Sequence, residues 1–126
     1  MGRDSILYTW LVPLRVKRAY APATKRDGTR YLVDRIWPRG VKKDALTIEA
    51  WLKELGPSTE LRKWFGHDPA RWAEFKKRYF KELAPKEDLW GPIRSAARKH
   101  TVTLVYSARD EEHNQAVALR EFLESR

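Results

Sequence analysis

Cysteine is absent from this chain of 126 residues, and methionine, asparagine and glutamine occur once each. Without thiols there is no disulfide, no zinc–thiolate centre and no cysteine nucleophile. The three histidines, His67, His100 and His113, include no pair at helical ligand spacing, so no metal site is expected, and no cofactor either. Long hydrophobic runs are missing too. The longest, Ile6 to Leu14, carries Pro13 and falls well short of the roughly 18 apolar residues of a membrane span. It follows Arg3 and Asp4 and lacks a small-residue cleavage site, so it is not read as a signal peptide, and a cytoplasmic location is expected. Scarce thermolabile side chains beside 34% charged residues is the pattern of proteins that work hot, which points to a thermophilic source.

What is present is enough for a core. Hydrophobic residues make up 42% of the chain and aromatic residues 12%, six of them tryptophan, which excludes an intrinsically disordered chain. The length fits one domain. The formal net charge is +9, but it is unevenly spread. Residues 15 to 43 hold ten basic side chains against Asp27 and Asp34, a net +8, while residues 44 to 126 are close to neutral. That asymmetry suggests a footprint for an anionic partner. Alternation along a strand works against it, because it would divide neighbouring side chains between two faces.

Leu14 to Tyr20 alternates apolar and basic residues and is read as a strand with one wet face. A turn follows at Asp27-Gly28, then a second strand over Tyr31 to Ile36 that Trp37-Pro38-Arg39-Gly40 must end. Ile48, Trp51, Leu52 and Leu55 fall on one face of a short helix ended by Gly56-Pro57. Ser58 caps another helix through Phe65, with Gly66 as its stop. Asp68-Pro69 opens a third, whose stripe is Trp72, Phe75, Tyr79 and Leu83, with Glu74 and Arg78 paired on its surface. Leu89, Ile93, Ala96 and Ala97 suggest a further helix, weakened at Gly91-Pro92, with Pro92 as an alternative start. Val102 to Tyr106, apolar on both faces, reads as a buried central strand. A last helix carries Val117, Leu119 and Leu123, with Asp110 as its cap. Strands flanking a helical block imply a single compact α/β domain with a small, mostly parallel sheet flanked by several helices. Its ligands would gather at the carboxyl ends of the strands.

Four constellations can carry chemistry. Arg35 and Arg39, four residues apart around Trp37-Pro38, can clamp a phosphate or carboxylate, with Trp37 stacking on a ring; as packing alone, Trp37 is a core plug. In the loop and helix start after the last strand, Ser107 is a possible nucleophile with His113 as its base, and Arg109 can hold an anion. The negative charges of Asp110, Glu111 and Glu112 oppose a phosphate there. His67, before a helix cap, is a candidate acid or base. Lys76 to Lys81 interleaves basic and aromatic residues, but helical geometry sends Tyr79 inward and the lysines to water.

The segments LVDRIWPRG, WLKELGPSTELRKWFGHDPARWAEFKKRY and VTLVYSARDEEHNQAVAL resemble the family of domain of unknown function 488, in its YeaO-like branch. The resemblance runs from about Leu14 to Leu123. Residues 1 to 13 are read as an extension outside the match, and 14 to 126 as the domain. The resemblance implies one compact α/β domain in a prokaryotic cytoplasm, with no settled activity. It marks Asp34, Arg35, Trp37, Arg39, Arg62, His67, Arg109, Asp110, His113 and Asn114 among its motif positions. Another branch carries cysteine at the end of the last strand and near the following helix. Tyr106, His113 and Asn114 stand at the corresponding places here, so thiol chemistry does not transfer.

The leading expectation is an anion-binding domain whose pocket of Arg35, Arg39, Arg62 and Arg109, with Trp37 and Asn114 as further ligand contacts, recognises a nucleotide or nucleic-acid phosphate. The catalytic candidates His67, His113, Asp34 and Ser107 support a second reading, a small hydrolase or transferase acting on a phosphorylated or glycosidic small molecule. A third is a non-catalytic protein-interaction domain.

Overall fold

In the computed structural model the described residues are 14–126, so the extension read at residues 1–13 lies outside them. Strands β1 (Leu14–Arg18), β2 (Thr29–Leu32), β3 (Ala50–Trp51) and β4 (Val102–Tyr106) form one sheet in the order β1-β4-β2-β3. Every pairing is parallel. Helices α1 (Thr59–Phe65), α2 (Trp72–Leu83) and α3 (Glu87–Ala97) connect β3 to β4, and α4 (Gln115–Glu124) follows β4. This is an α/β domain with a small parallel sheet.

Strand alternation sorts the two faces. Leu14, Val33, Val102, Leu104 and Tyr106 join Leu61, Phe65, Phe75, Tyr79, Ile93, Leu119 and Phe122 in the main core under the helices. The opposite face carries a smaller cluster of Ala19, Leu32, Leu46 and Val105, flanked by Trp37, Ile48 and Trp51. Loops cover it, and the basic segment contributes Lys17 and Arg30 to an ion-pair network there. Fully buried Asp27 accepts from Lys17 Nζ at 3.1 Å and from Arg30 Nη1 at 2.6 Å, while Arg15 Nη1 lies 4.0 Å away. Burial opposes the Asp27 charge, but donors from Thr24, Lys17 and Arg30 outweigh it and hold the carboxyl far below its ordinary range. Gly28, at φ +62°, lets this turn pass Thr101, whose carbonyl oxygen would stand 2.0 Å from a Cβ. Part of the charge of the +8 segment therefore serves an internal network.

Three local expectations need correction. Ile48, Trp51, Leu52 and Leu55 do not share a helix: Ala50–Trp51 is an edge strand on Tyr31–Leu32, followed by a 3-10 turn over Lys53–Leu55. Their spacing serves two layers, with Ile48 and Trp51 against the smaller cluster and Leu55 in the main core. Helix α3 runs through Pro92 instead of starting there, because Trp90, Ile93 and Ala97 bury along its face. The second strand ends at Leu32, and Asp34 to Ile36 leave the sheet. The Ser58 cap, the left-handed Gly66 stop and the Phe75, Tyr79, Leu83 stripe are found as the sequence predicts.

Candidate functional site at the carboxyl edge of the sheet

The carboxyl ends of β2 and β4 meet through two chain segments that have just left the sheet. The Val33 amide still donates to the Val105 carbonyl at 3.0 Å, which keeps the chains in register for one residue beyond β2. Asp34 then turns inward, 6% exposed. Its Oδ2 accepts from the Ser107 amide at 2.9 Å and the Ser107 hydroxyl at 2.5 Å. Its Oδ1 accepts from Gln115 Nε2 at the start of α4. Burial pushes the Asp34 carboxyl above its ordinary value, against the Ser107 and Gln115 donors and the nearby charge of His67.

Arg35 turns the other way. Its Nε donates to the Pro57 carbonyl and its Nη2 to the Gly56 carbonyl, each at 2.9 Å. This anchors the WPRG loop to the segment before α1. Gly56 is required for that approach, since a Cβ there would lie 2.8 Å from the Arg35 backbone nitrogen. The anchored segment also fixes α1. The Ser58 hydroxyl accepts from the Leu61 amide at 3.1 Å and donates to Glu82 Oε2 at 2.6 Å. One turn further on, α1 presents Arg62.

Around this junction lies a cleft of ≈ 620 Å³. Of the residues singled out from the sequence, Asp34, Arg35, Trp37, Arg39, Arg62, His67, Ser107, Arg109 and Asn114 all line it. His113 does not. Its Nδ1 lies 2.9 Å from Asp110 Oδ2, and its ring meets Trp72 edge-on at 5.3 Å. The Ser107–His113 nucleophile–base pair is thus not assembled; the hydroxyl's partner is Asp34.

The lining residues differ in what they leave available. Arg35 gives two of its five guanidinium donors to carbonyls, and these bonds hold the loop. Trp37 is mainly a packing residue: its Nε1 donates to the Val41 carbonyl at 2.6 Å and its ring meets Trp51 at 5.3 Å. Asn114, and not Asp110, caps α4, accepting from the Val117 amide at 3.0 Å. Asp110 accepts from the Glu112 and His113 amides. These side chains occupy the amides that an anion would need at that helix start. By contrast, among the described residues Arg39, Arg62 and Arg109 meet no carboxylate. Arg62 Nε is buried with no hydrogen-bond partner.

Residues missed from the sequence are Gln115, Tyr20 and Ile36. Gln115 is the one glutamine of the chain, a signal that could have drawn notice. Tyr20 and Ile36 are large apolar side chains 46% and 55% exposed at the cleft. His67 lies at φ 57°, a left-handed conformation uncommon for a residue with a Cβ. No helix among the described residues is long and apolar enough to cross a membrane, and no three or more of the described His, Asp and Glu side chains gather as a metal site would require.

A protein-family model described as the inactive DUF488-N3 subclade matches residues 13–126. The uncharacterised protein YeaO of Escherichia coli is 44% identical over 112 residues, covering 89% of this chain and 97% of the relative. Uncharacterised proteins of Mycobacterium bovis and Mycobacterium tuberculosis are each 39% identical over 113 residues, covering 90% of this chain and 95% of the relatives. No solved structure matches. With the family model spanning the whole described domain, the chain belongs to the family of domain of unknown function 488, in its YeaO-like branch.

Proposed function

We propose that the domain binds a nucleotide through its phosphate, held in the cleft by Arg39, Arg62 and Arg109. The observation that carries this reading is Arg62: a guanidinium whose Nε is buried without a partner, on the wall of a cleft that also holds two arginines free of carboxylates among the described residues. A buried unpaired donor costs about 1–3 kcal/mol, more when charged, and a phosphate oxygen repays it with a charge-assisted hydrogen bond. The neighbouring Tyr20 and Ile36 supply apolar surface for a ring. A cleft of this size accommodates a small organic anion.

The Asp34–Ser107 contact favours a hydrolase or transferase as the second reading, since a carboxylate that accepts a hydroxyl's hydrogen bond is placed to take its proton. The family model's description as an inactive subclade weighs toward binding instead. Titration calorimetry with nucleoside monophosphates, inorganic phosphate and a short oligonucleotide over a salt series tests the proposal. Binding that weakens with salt and is lost in Arg62→Ala supports it. Absence of binding by every probe at low salt overturns it. An oligonucleotide that alone binds, with a log–log salt slope of about −0.7 or steeper per phosphate contact, moves the reading to a polymer.

A further inference from the structure

Phosphate chemistry accounts for the arginines but leaves Asp34 unexplained. A carboxylate in an anion-binding cleft repels the anion, so Asp34 must face a different part of the ligand. Its free capacity can be counted. A carboxylate offers about four acceptor positions. Oδ2 spends two on the Ser107 amide and hydroxyl, and Oδ1 spends one on Gln115. One acceptor position therefore remains, on Oδ1 of a residue that lines the cleft. A neutral donor placed there would help offset the desolvation of the carboxylate.

The donor is a hydroxyl, for a geometric reason. Reading the amino and imino edge of a base takes both oxygens of a carboxylate side by side, and Oδ2 is already saturated by Ser107. A single hydroxyl needs one lone pair only. Building on the proposed phosphate site, we propose that the ligand is a ribonucleoside phosphate, one ribose hydroxyl of which donates to Asp34. Asp34 is then a specificity-determining residue, and Ser107 and Gln115 are positioning residues that aim its last lone pair.

The test uses the full chain and calorimetric titration with ribonucleoside monophosphates and their 2′-deoxy and 3′-deoxy counterparts. The expected result is a loss of about 10-fold or more in affinity when the hydroxyl that meets Asp34 is removed, the size of one hydrogen bond to a charged group. Asp34→Asn should bring that ratio close to one while phosphate-dependent binding persists. In that variant the amide faces Gln115 with a donor, and the acceptor aimed at the sugar is gone. The analogue series on the unaltered chain stands even if Asp34→Asn fails to fold. Equal affinity for the ribose and both deoxyribose forms overturns the sugar contact. So does a preference among bases that ignores the sugar. In either case binding still lost in Arg62→Ala leaves the phosphate reading standing, whereas no binding of any nucleotide removes both.

Discussion

Asp34 and Ser107, 73 residues apart in sequence, are joined by two hydrogen bonds to the same carboxylate oxygen. This junction ties the chain leaving β2 to the chain leaving β4, and both residues line the cleft. Replacing Asp34 by alanine strands the Ser107 amide and the Gln115 side chain in a poorly solvated place. The expected loss is about 2–3 kcal/mol of unfolding free energy in a urea titration. Ser107→Ala keeps its amide bond and should lose only about 1 kcal/mol.

The same residue sets a pH trend. Burial raises the folded-state pKa of Asp34 above the ordinary 3.8, so the unfolded chain ionises first as pH rises. Its contribution to stability is full below 3.8 and is lost as pH climbs through the folded value. Subtracting the stability–pH curve of Asp34→Asn from that of the native chain should leave a component falling in that direction. A difference that rises instead would contradict the desolvated environment.

Arginines of the cleft should separate into two classes. Arg35 holds the carbonyls of Gly56 and Pro57, so Arg35→Ala is expected to cost about 2–4 kcal/mol of stability, with binding lost through loop disorder. Arg39 and Arg109 are exposed, and their alanine variants should stay within about 0.5 kcal/mol of the native stability while weakening anion binding. Parallel chemical denaturation and calorimetry on the three variants decides the matter.

The sorting of arginines also marks how far the sequence could be read. Elements written in local chemistry were legible: the Ser58 cap, the Gly66 stop, and the stripe of Phe75, Tyr79 and Leu83 need only nearest-neighbour geometry. Asp34, Arg39, Arg62 and Arg109 line one cleft at the carboxyl ends of the parallel strands, the place at which the rule for such sheets puts a ligand. What failed depended on distant backbone. Ala50–Trp51 is a strand because Tyr31 and Leu32 offer it an edge, and no periodicity in residues 48 to 55 records that. Arg35 is structural because two carbonyls face it, and carbonyls carry no sequence signature. Asn114 displaced Asp110 as the α4 cap because the helix starts at Gln115, a boundary finer than pattern reading resolves.

That cap has its own consequence. Asn114 is 2% exposed, accepts from the Val117 amide and donates to the Asp110 carbonyl at 2.9 Å, so it fixes both α4 and the loop bearing Arg109. Asn114→Ala should cost about 1–2 kcal/mol, and Asn114→Asp less, because aspartate keeps the capping oxygen but not the donor. Thermal unfolding of the two variants tests the ranking. Equal losses would mean that the bond to Asp110 contributes more than the cap.

On the opposite face, Asp27 predicts acid sensitivity of the reverse sign. Lys17 and Arg30 donate to it, Arg30 being only 4% exposed, and the folded carboxyl is held far below 3.8. The unfolded chain therefore takes up a proton first as pH falls. Stability from Asp27 is complete above 3.8 and drains away below it, towards the folded value. Asp27→Ala leaves the Arg30 guanidinium buried without its counter-charge, which should cost about 3–5 kcal/mol at neutral pH. Replacing both Asp27 and Arg30 with apolar residues should recover part of that loss, because most of the penalty in the single variant is the orphaned charge and not the missing attraction. A double-mutant cycle followed by urea unfolding measures it, and strict additivity of the two single losses would show that Arg30 is sufficiently held by its bond to the Thr47 carbonyl at 2.6 Å.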